Sequence, residues 1–599
     1  RLSKTSSGTL ILSNANTYTG GTTIQEGTLS ATDVQALSQG KVTVADGATL
    51  NIDGVTLALA SGLDLSGTGA GGVGALTGTG TAAYTGGVTL ITDSTIGAAT
   101  ANDQLTLSGA ITGAMRLEKV GAGTVILDNA NNDYSGGTTV SAGTLQTNVA
   151  SALPDDRAVS VGTSGTLSLV NHDQSIGTLA GDGTVTLGSA VLTVRDGNFG
   201  GHIGGMGGRL SKTSSGTLIL SNSNTYTGGT TIQEGTLSAQ HAEALNQGKV
   251  TVADGATLHI DNVTLTLANG LDLSGTGAGG VGALTGTGTA AYSGGITLVA
   301  DSRVGTSTVT DQLTLSGIIA GANRKLEKTG AGKVTLAGSN TYTGGTTIES
   351  GKLTAANAKA LGDGSVTVED GGTLEIANVA LQLGSSAKIT IEDDTAGSIG
   401  GTLSGTGGLS ASYSGALELL RRSPGVGGST NVDADSGAAL ALAGAITGTG
   451  GLTKGGAGKV TLAAANTYSG GTTIQQGTLS ATDVQALSQG KVTVADGATL
   501  NIDGVALSLA NGLDLSGIGV GGAGALTGTG TAAYTGDVTL ITDSTIGAAT
   551  ANDQLTLGGV ISGATHKLDK TGYGKVTLVA ANTYSGGTTI QQGTLSARH

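Results

Sequence analysis

The stretch Asn16-Thr17-Tyr18-Thr19-Gly20-Gly21-Thr22-Thr23-Ile24 recurs in close variants along the whole chain. Its tyrosine returns at six positions: Tyr18, Tyr134, Tyr226, Tyr342, Tyr468 and Tyr584. The intervals between neighbouring copies are 116, 92, 116, 126 and 116, so the short interval differs from the common one by 24 (116 − 92). A chain that loses about 24 residues and keeps its pattern is expected to wind in coils of about that length, as solenoids do. The intervals therefore predict about five coils in the common interval, about four in the short one, and about five with an outward loop in the longest.

Between the repeats, apolar residues alternate with polar ones, as in the pairs Leu63/Leu65 and Leu105/Leu107. This period of two indicates short strands with one buried face, and Asp-Gly and Gly-Gly pairs separate them. Such strands fit a sandwich, a barrel or a parallel β-helix, but only the β-helix accepts or loses a whole coil. The sequence therefore predicts an all-β chain that folds as a right-handed parallel β-helix (β-solenoid) of about 26 coils.

The repeats divide the predicted helix into modules along one continuous β-helix that spans residues 1–599. Their approximate bounds are 8–123, 124–215 (shorter), 216–331, 332–457 (with a loop insertion at 421–430), 458–573 and 574–599 (partial).

Within the repeated phrase, each residue type has an expected structural role. Gly20 and Gly21 supply backbone angles that other residues resist, and Thr22 to Ile24 resume an extended strand. Tyr18 is expected to lie over an adjacent coil with its hydroxyl in water. Asn and Thr side chains in register are expected to pair with the coil above them.

Composition excludes several classes of function. The net charge of −15 and the pI near 4.7 disfavour nucleic-acid binding, and no apolar run is long enough for a transmembrane helix. There is no cysteine, so stability is expected to come from stacking without disulfides. The chain opens at Arg1 without a signal segment, and we expect it to be the middle piece of a longer protein.

We find no pattern typical of an enzyme, and we expect no catalytic residue, no cofactor and no metal site. Gly-x-Ser-x-Gly is absent, and the six histidines (His172, His202, His241, His259, His566 and His599) are scattered. The Gly-Ala-Gly-Lys sequences that end at Lys333 and Lys459 lack the Ser or Thr of a phosphate loop and are expected to be turns. Asn431, Asp433 and Asp435 alternate like calcium ligands, but this pattern is more typical of the solvent face of a strand.

A second element precedes each tyrosine. It is Leu117-Glu118-Lys119-Val120-Gly121-Ala122-Gly123 before Tyr134, and its lysine recurs at Lys4, Lys119, Lys212, Lys328, Lys454 and Lys570. Each lysine stands at the same spacing from its tyrosine, except Lys119, which stands one position further away. The combined pattern resembles the passenger-associated β-strand repeat of type V secretion autotransporters, Gram-negative surface proteins. The resemblance implies a β-helical passenger that crosses the outer membrane through a C-terminal translocator barrel lying outside this sequence. It implies a location at the bacterial cell surface, on the extracellular face of the outer membrane, or secretion.

Two stretches are not closely repeated and are the expected places for specific recognition. One spans residues 146–208, and the other is the insertion that contains Arg421, Arg422 and Pro424, with the one adjacent arginine pair of the chain. Loops on rigid scaffolds often carry recognition, although tolerated extra length is the commoner explanation of such an insertion.

These observations predict a surface segment that acts in adhesion, autoaggregation or biofilm formation through many weak contacts. The expected partner is the same protein on a neighbouring cell, or a host glycan or matrix protein; no nucleic acid is expected. Because aromatic residues make up 2 % of the chain, strong stacking on sugars is not expected, which favours self-association. The alternative is a passive β-helical stalk that presents a protease or esterase domain encoded outside this sequence.

Overall fold

The computed structural model describes residues 1–37, 39–245, 248–393, 400–407, 410–421, 429–488 and 490–598. They form two compact units, the first comprising residues 1–285 and 289–294 and the second residues 286–288 and 295–599. Each unit is a parallel β-solenoid, and together they contain about 27 turns, close to the predicted 26. The all-β parallel β-solenoid is confirmed, whereas the right-handed winding and the single continuous helix stay predictions.

The strands are short, as the alternation predicts. Up to the boundary region they are Leu2–Lys4, Thr9–Leu12, Thr22–Ile24, Gly27–Ala31, Val42–Val44, Ala48–Asp53, Thr56–Leu57, Leu63–Gly67, Leu76–Thr79, Thr81–Tyr84, Val88–Ala98, Gln104–Leu107, Ile111–Thr112, Leu117–Val120, Thr124–Leu127, Thr138–Thr147, Val159–Ser168, Gln174–Gly181, Thr184–Thr186, Val191–Phe199, His202–Gly204, Arg209–Lys212, Thr217–Leu220, Thr230–Ile232, Gly235–Ala239, Val250–Val252, Ala256–Asp261, Thr264–Leu265, Leu271–Gly275, Leu284–Thr287 and Thr289–Tyr292.

In the second unit the strands are Ile296–Thr306, Gln312–Leu315, Ile319–Ala320, Leu326–Thr329, Lys333–Leu336, Thr346–Ile348, Gly351–Ala355, Val366–Val368, Gly372–Ala377, Ala380–Leu381, Lys388–Asp393, Thr402–Thr406, Ser410–Tyr413, Ala416–Arg421, Ser429–Ala434, Ala439–Leu442, Ile446–Gly448, Gly451–Lys454, Lys459–Leu462, Thr472–Ile474, Gly477–Ala481, Val492–Val494, Ala498–Asp503, Ala506–Leu507, Leu513–Gly517, Leu526–Thr529, Thr531–Tyr534, Val538–Ala548, Gln554–Leu557, Ile561–Ser562, Leu568–Thr571, Lys575–Leu578, Thr588–Ile590 and Thr594–Ala597.

The helices of the described residues are the three-residue 3₁₀ turns Ala70–Gly72, Ala278–Gly280 and Val520–Gly522. Among those residues no helix reaches the length and hydropathy needed to cross a membrane.

Apolar side chains of successive turns stack in columns inside each solenoid. One column of the first unit runs from Leu10 through Leu29, Leu50 and Leu76 to Ile96, all paired in parallel register. The last four are fully buried. Burial of one such side chain stabilises the fold by about 1.5–3 kcal/mol. The columns therefore form the hydrophobic core that stabilises a chain without disulfides.

The repeated module does not return to the same face of the solenoid. Lys4 lies in the column of Ile24, Val44 and Leu65, whereas Lys119 lies in the column that begins at Leu10. In the second unit, Lys570 likewise lies in the column of Val460, which follows Lys454 on the next face. A long module therefore takes five turns and one further face, so the phrase advances by one face.

The prediction of four coils in the short interval is wrong. The column that contains Lys119 reaches Leu220 five turns later. Lys212 lies one face before Leu220, so the interval from Lys119 to Lys212 takes one face less than five turns. The interval is short because its turns are short: Val191 pairs with Arg209, an advance of 18 in the numbering (209 − 191). By contrast, Lys388 pairs with Ala416, an advance of 28 (416 − 388). Corners can shrink or grow because only the strands must stay in register.

Candidate functional surfaces

The repeated lysine lies inside the solenoid. Lys119 is fully buried, between Ile96 and Val140 of the neighbouring turns. Its Nζ donates to the carbonyl oxygens of Val120, Gly121 and Ala142 at 2.8–2.9 Å. Three donors thus meet three carbonyls of a glycine corner, which satisfies both the ammonium group and the turn. Burial lowers the pKa of Lys119, Lys328 and Lys454 to about 8.

The repeated tyrosine is also a core residue. Tyr134, Tyr226, Tyr342 and Tyr468 are at most 1 % exposed, and each hydroxyl bonds the Thr Oγ1 four residues on at 2.6–2.7 Å. The expectation of a hydroxyl in water is wrong for these four copies. Tyr18 and Tyr584 are half-buried, and both make the same bond to a threonine. Desolvation raises the pKa of the four buried tyrosines above the ordinary value, and the bond to the threonine partly offsets it.

The asparagine two residues before the tyrosine joins three turns. Asn132 accepts the N–H of Ile111 at 2.7 Å and donates to the carbonyl of Ala152 at 2.8 Å. Asn224 and Asn340 accept the corresponding N–H groups of Ile203 and Ile319. The side chain thus replaces ladder bonds where the backbone turns, and the predicted Asn pairing between coils is confirmed. We call each Lys, Tyr and Asn set a repeat clamp; in the four inner copies its groups are buried, so there it acts in the packing of the fold.

The glycines of the phrase make the close approach that the clamp needs. Gly137 has φ +86°, and a Cβ there would lie 2.7 Å from the carbonyl oxygen of Ala158 in the next turn. A side chain is therefore excluded by conformation and by contact.

The insertion predicted as a recognition loop is described in part. Arg421 ends the strand Ala416–Arg421 and is half-exposed; its backbone N–H lies 3.4 Å from the Oγ1 of Thr449. Arg422 and Pro424 lie outside the described residues. Arg421, Arg422 and Pro424 therefore stay a predicted recognition loop.

The unrepeated stretch 146–208 has unusual backbone geometry. Of the seven non-glycine residues with positive φ that the structure describes, Ser151, Asp156, Val170 and Asn171 lie here. Val170 is β-branched and has φ +44°, a conformation that such residues rarely adopt. Met206 is 89 % exposed. This stretch therefore differs from the other coils in both backbone and surface, and its role in specific recognition stays a prediction.

The residues weighed for chemistry have structural partners. Both ring nitrogens of His202 are engaged, by the carbonyl oxygen of Ser223 and the Oγ1 of Thr225 at 2.9 Å. Asp433 Oδ1 accepts the N–H groups of Gly455 and Gly456 at 2.7 and 3.1 Å. Within the described ranges, no group of three or more His, Asp and Glu side chains could hold a metal ion. His599 lies outside those ranges.

A groove in the second unit was missed by sequence reasoning. It has a volume of about 540 Å³ and is lined by residues that include Lys459, Thr478, Asn501, Thr527, Tyr573 and Gln592. The sequence does contain a signal for it: the middle residue of the Gly-Ala-Gly corner is alanine at Ala122, Ala331 and Ala457 but tyrosine at Tyr573.

Comparison with known proteins identifies the repeats. A family model described as Passenger-associated-transport-repeat matches residues 2–31, 117–147, 210–239, 326–355, 452–481 and 568–597. Each match begins just before a clamp lysine and includes its tyrosine, so the family pattern coincides with the repeat clamps.

Two curated proteins are similar over part of the chain. The Adhesin BmaC autotransporter of Brucella suis biovar 1 (strain 1330) is 31% identical over 312 residues, which are 49% of this chain and 9% of that protein. The uncharacterized lipoprotein YdeK of Escherichia coli (strain K12) is 32% identical over 152 residues, 24% of this chain and 11% of that protein. The chain thus matches about a tenth of the length of each of these relatives.

Proposed function

Because this chain is a repeat-bearing passenger segment of the autotransporter kind, we propose that it acts at the bacterial surface as a non-enzymatic adhesive segment. It would promote adhesion, autoaggregation or biofilm formation through many weak contacts. Its partners would be the same protein on a neighbouring cell, or a host glycan or matrix protein. The similar Brucella protein is named an adhesin, which supports this assignment.

The observation that carries the proposal is the repetition of one sequence along the chain. Residues 27–55 are identical to residues 477–505, the first copy in one unit and the second in the other. The chain therefore offers equivalent polar surfaces more than once. Such copies favour multivalent contact, in which weak encounters add through effective concentration, whereas an active site needs one unique constellation.

A settling assay tests the proposal. Cells that display the chain are compared with cells that display only its second unit and with cells that lack it. Aggregation should rise steeply with the number of modules, because each added copy raises avidity. Unchanged suspension of all three strains, with no retention on matrix-coated surfaces, would contradict adhesion and favour the passive stalk.

Addition of purified chain separates the two kinds of partner. If contacts are between copies, soluble chain should block settling by occupying the displayed copies. If the partner is a host molecule, settling should be unaffected and retention on the coated surface should fall.

A further inference from the structure

The groove that contains Tyr573 crosses several turns of the solenoid. Pairing leads from Lys459 to Thr478 and Thr499, and from Asn501 through Thr527 and Gly547 to Thr571. With five steps of about 4.8 Å, its two ends are about 24 Å apart. Its volume of about 540 Å³ is that of a small-ligand site, spread along an extended path.

Tyr573 is the exposed member of an otherwise buried residue type. It is 68 % exposed, whereas the other ten tyrosines of the chain are buried or half-buried. The equivalent Ala122, Ala331 and Ala457 are exposed too, with coils following them, so the corner position itself faces solvent. An exposed aromatic ring beside a groove is a surface on which a flat apolar ligand face can stack.

The nearby glycine turn also differs from its first-module copy. Thr68 and Ala70 there correspond to Ile518 and Val520 here, and both apolar side chains are exposed, by 58 % and 38 %. Val520 lines the groove together with Tyr573. Ala523, which also lines the groove, stands where the first module has Val73, so the turn gains two larger apolar side chains and loses one.

The opposite end of the groove holds an uncompensated cation. At the same position of the preceding module, Lys333 and Lys352 bind Glu375 at 3.2 and 2.7 Å. In the groove, Lys459 stands at the position of Lys333 and Asn501 at that of Glu375. Within the part of the chain that the structure describes, Lys459 makes no ion pair. Because asparagine stands where Glu375 does, a carboxylate of a ligand can pair with Lys459.

The floor between the two ends is polar. Asn501 Oδ1 accepts the hydroxyls of Thr527 and Thr529 at 2.9 and 3.0 Å, and its Nδ2 donates to Ser480 Oγ at 3.2 Å. The threonine oxygens keep lone pairs that can accept from a ligand, and the half-exposed Thr478 adds a further hydroxyl. Fixed hydroxyls and an amide suit a ligand that is rich in hydroxyl groups.

We propose that this groove binds a linear acidic glycan. A carboxylate of the sugar chain pairs with Lys459, a pyranose ring stacks on Tyr573, and ring hydroxyls bond the threonines between them. A pyranose ring is about as long as the spacing of strands, so one sugar spans each turn. The low aromatic content disfavours stacking of sugars along most of the chain, whereas Tyr573 provides one exposed ring at the end of this groove.

Isothermal titration calorimetry of the purified chain tests the proposal, with a galacturonate hexamer as the acidic probe and its carboxyl-reduced counterpart as the neutral one. The acidic hexamer should bind more tightly than the neutral one. Lys459→Gln should remove this difference, and Tyr573→Ala should weaken both by about tenfold. Circular dichroism should show both variants folded, because both side chains are exposed.

Two matched variants serve as controls. Lys333→Gln should leave glycan binding unchanged, because Lys333 already has Glu375 as its partner. A tyrosine placed by Ala122→Tyr in the Tyr573→Ala background should not restore binding, since Thr9 stands where Lys459 does.

Equal binding of the two hexamers, no binding at millimolar concentration, or unchanged binding by Lys459→Gln and Tyr573→Ala would overturn the proposal. A loss of settling by these variants without any glycan binding would overturn it too and would assign the groove to a second copy. The proposal deepens the adhesive function and rests on it. The glycan proposal and the adhesive function can fail independently. Calorimetry tests glycan binding without cells, and the settling assay tests adhesion without added glycan.

Discussion

A lysine in the core and a tyrosine in the core respond to alkali in opposite ways. Burial disfavours the ammonium ion of Lys119, Lys328 and Lys454, whose pKa falls to about 8 from about 10.4 in an unfolded chain. Burial of Tyr134, Tyr226 and Tyr342 disfavours the phenolate and raises its pKa above about 10, the value in an unfolded chain. Between about pH 8 and about pH 10, the unfolded chain therefore holds more protons on these lysines than the folded chain does. Above about pH 10, the unfolded chain holds fewer protons on these tyrosines than the folded chain does.

The free energy of unfolding should therefore rise from about pH 8 to about pH 10 and fall at higher pH. The rise follows because raising the pH removes protons that the unfolded chain holds more strongly; the fall follows because unfolded tyrosines then ionise first. The denaturation midpoint in urea, measured across this range, checks the prediction. A midpoint that falls steadily from pH 8 upward would contradict it.

Matched variants isolate the lysines. Replacement of Lys119, Lys328 and Lys454 by Met should flatten the rise. Replacement of three surface lysines that pair with aspartates at 2.7–2.8 Å (Lys41, Lys249 and Lys491) should leave it intact. Should the buried triple variant not fold, titration of the lysine Nζ signals by NMR in the unaltered chain gives the pKa values directly.

The inward direction of these lysines could have been predicted. In Leu117-Glu118-Lys119-Val120 the lysine is two residues from a leucine, so period two places both on the same face, and the strand has that burial pattern. What the pattern lacks is the acceptor set: the carbonyl of Ala142 comes from the next turn, and nothing local to Lys119 identifies it. The same limit applies to Tyr134, whose burial depends on neighbouring turns.

At the scale of one element, the asparagine of the clamp stabilises a corner by bonding the backbone of the turns on either side. Asn340 accepts the N–H of Ile319 and donates to the carbonyl of Ala360, in the turns on either side. Asn340→Ala should therefore leave two buried backbone groups unpaired and lower local stability by about 2–4 kcal/mol. Amide hydrogen exchange of Ile319 and its neighbours measures this loss, because opening in a solenoid is local.

Asn102→Ala is the control for that substitution. Asn102 is exposed in a turn, and its replacement should change protection by no more than about 0.5 kcal/mol. Equal effects of the two variants would mean that the clamp asparagine contributes no more than a surface residue.

At the scale of the whole molecule, interval arithmetic predicted a stack of coils but assumed that all coils have one length. The predicted mean length of a coil was close, since the structure has about 27 turns and about 26 were predicted. The assumption failed at 146–208, where Val191 and Arg209 close an unusually short turn. The strands of two neighbouring turns must stay in register, whereas the corners between strands can differ in length. The interval between repeats counts strand and corner residues together, so it does not give the length of each turn.

The register makes a whole turn the natural unit of change. In the first unit Thr22 pairs with Val42, and Val42 pairs with Leu63, so removal of residues 42–62 would place Leu63 beside Thr22. The deletion leaves every remaining apolar column continuous: Leu65 would follow Ile24, and Leu76 would follow Leu29. Because each turn of a solenoid contacts only its neighbours, the shortened chain should keep its fold, with stability of distant turns within about 0.5 kcal/mol of the original.

Removal of residues 42–52 provides the contrasting case. It takes away about half a turn, so the chain that follows would meet the preceding turn on the wrong face and turn apolar residues toward water. Protease resistance and far-ultraviolet circular dichroism should be retained by the whole-turn deletion and lost, around the join, by the half-turn deletion. If both chains were equally resistant, the columns would not be what holds neighbouring turns together; if both were cleaved, contacts beyond the adjacent turn would be required for folding.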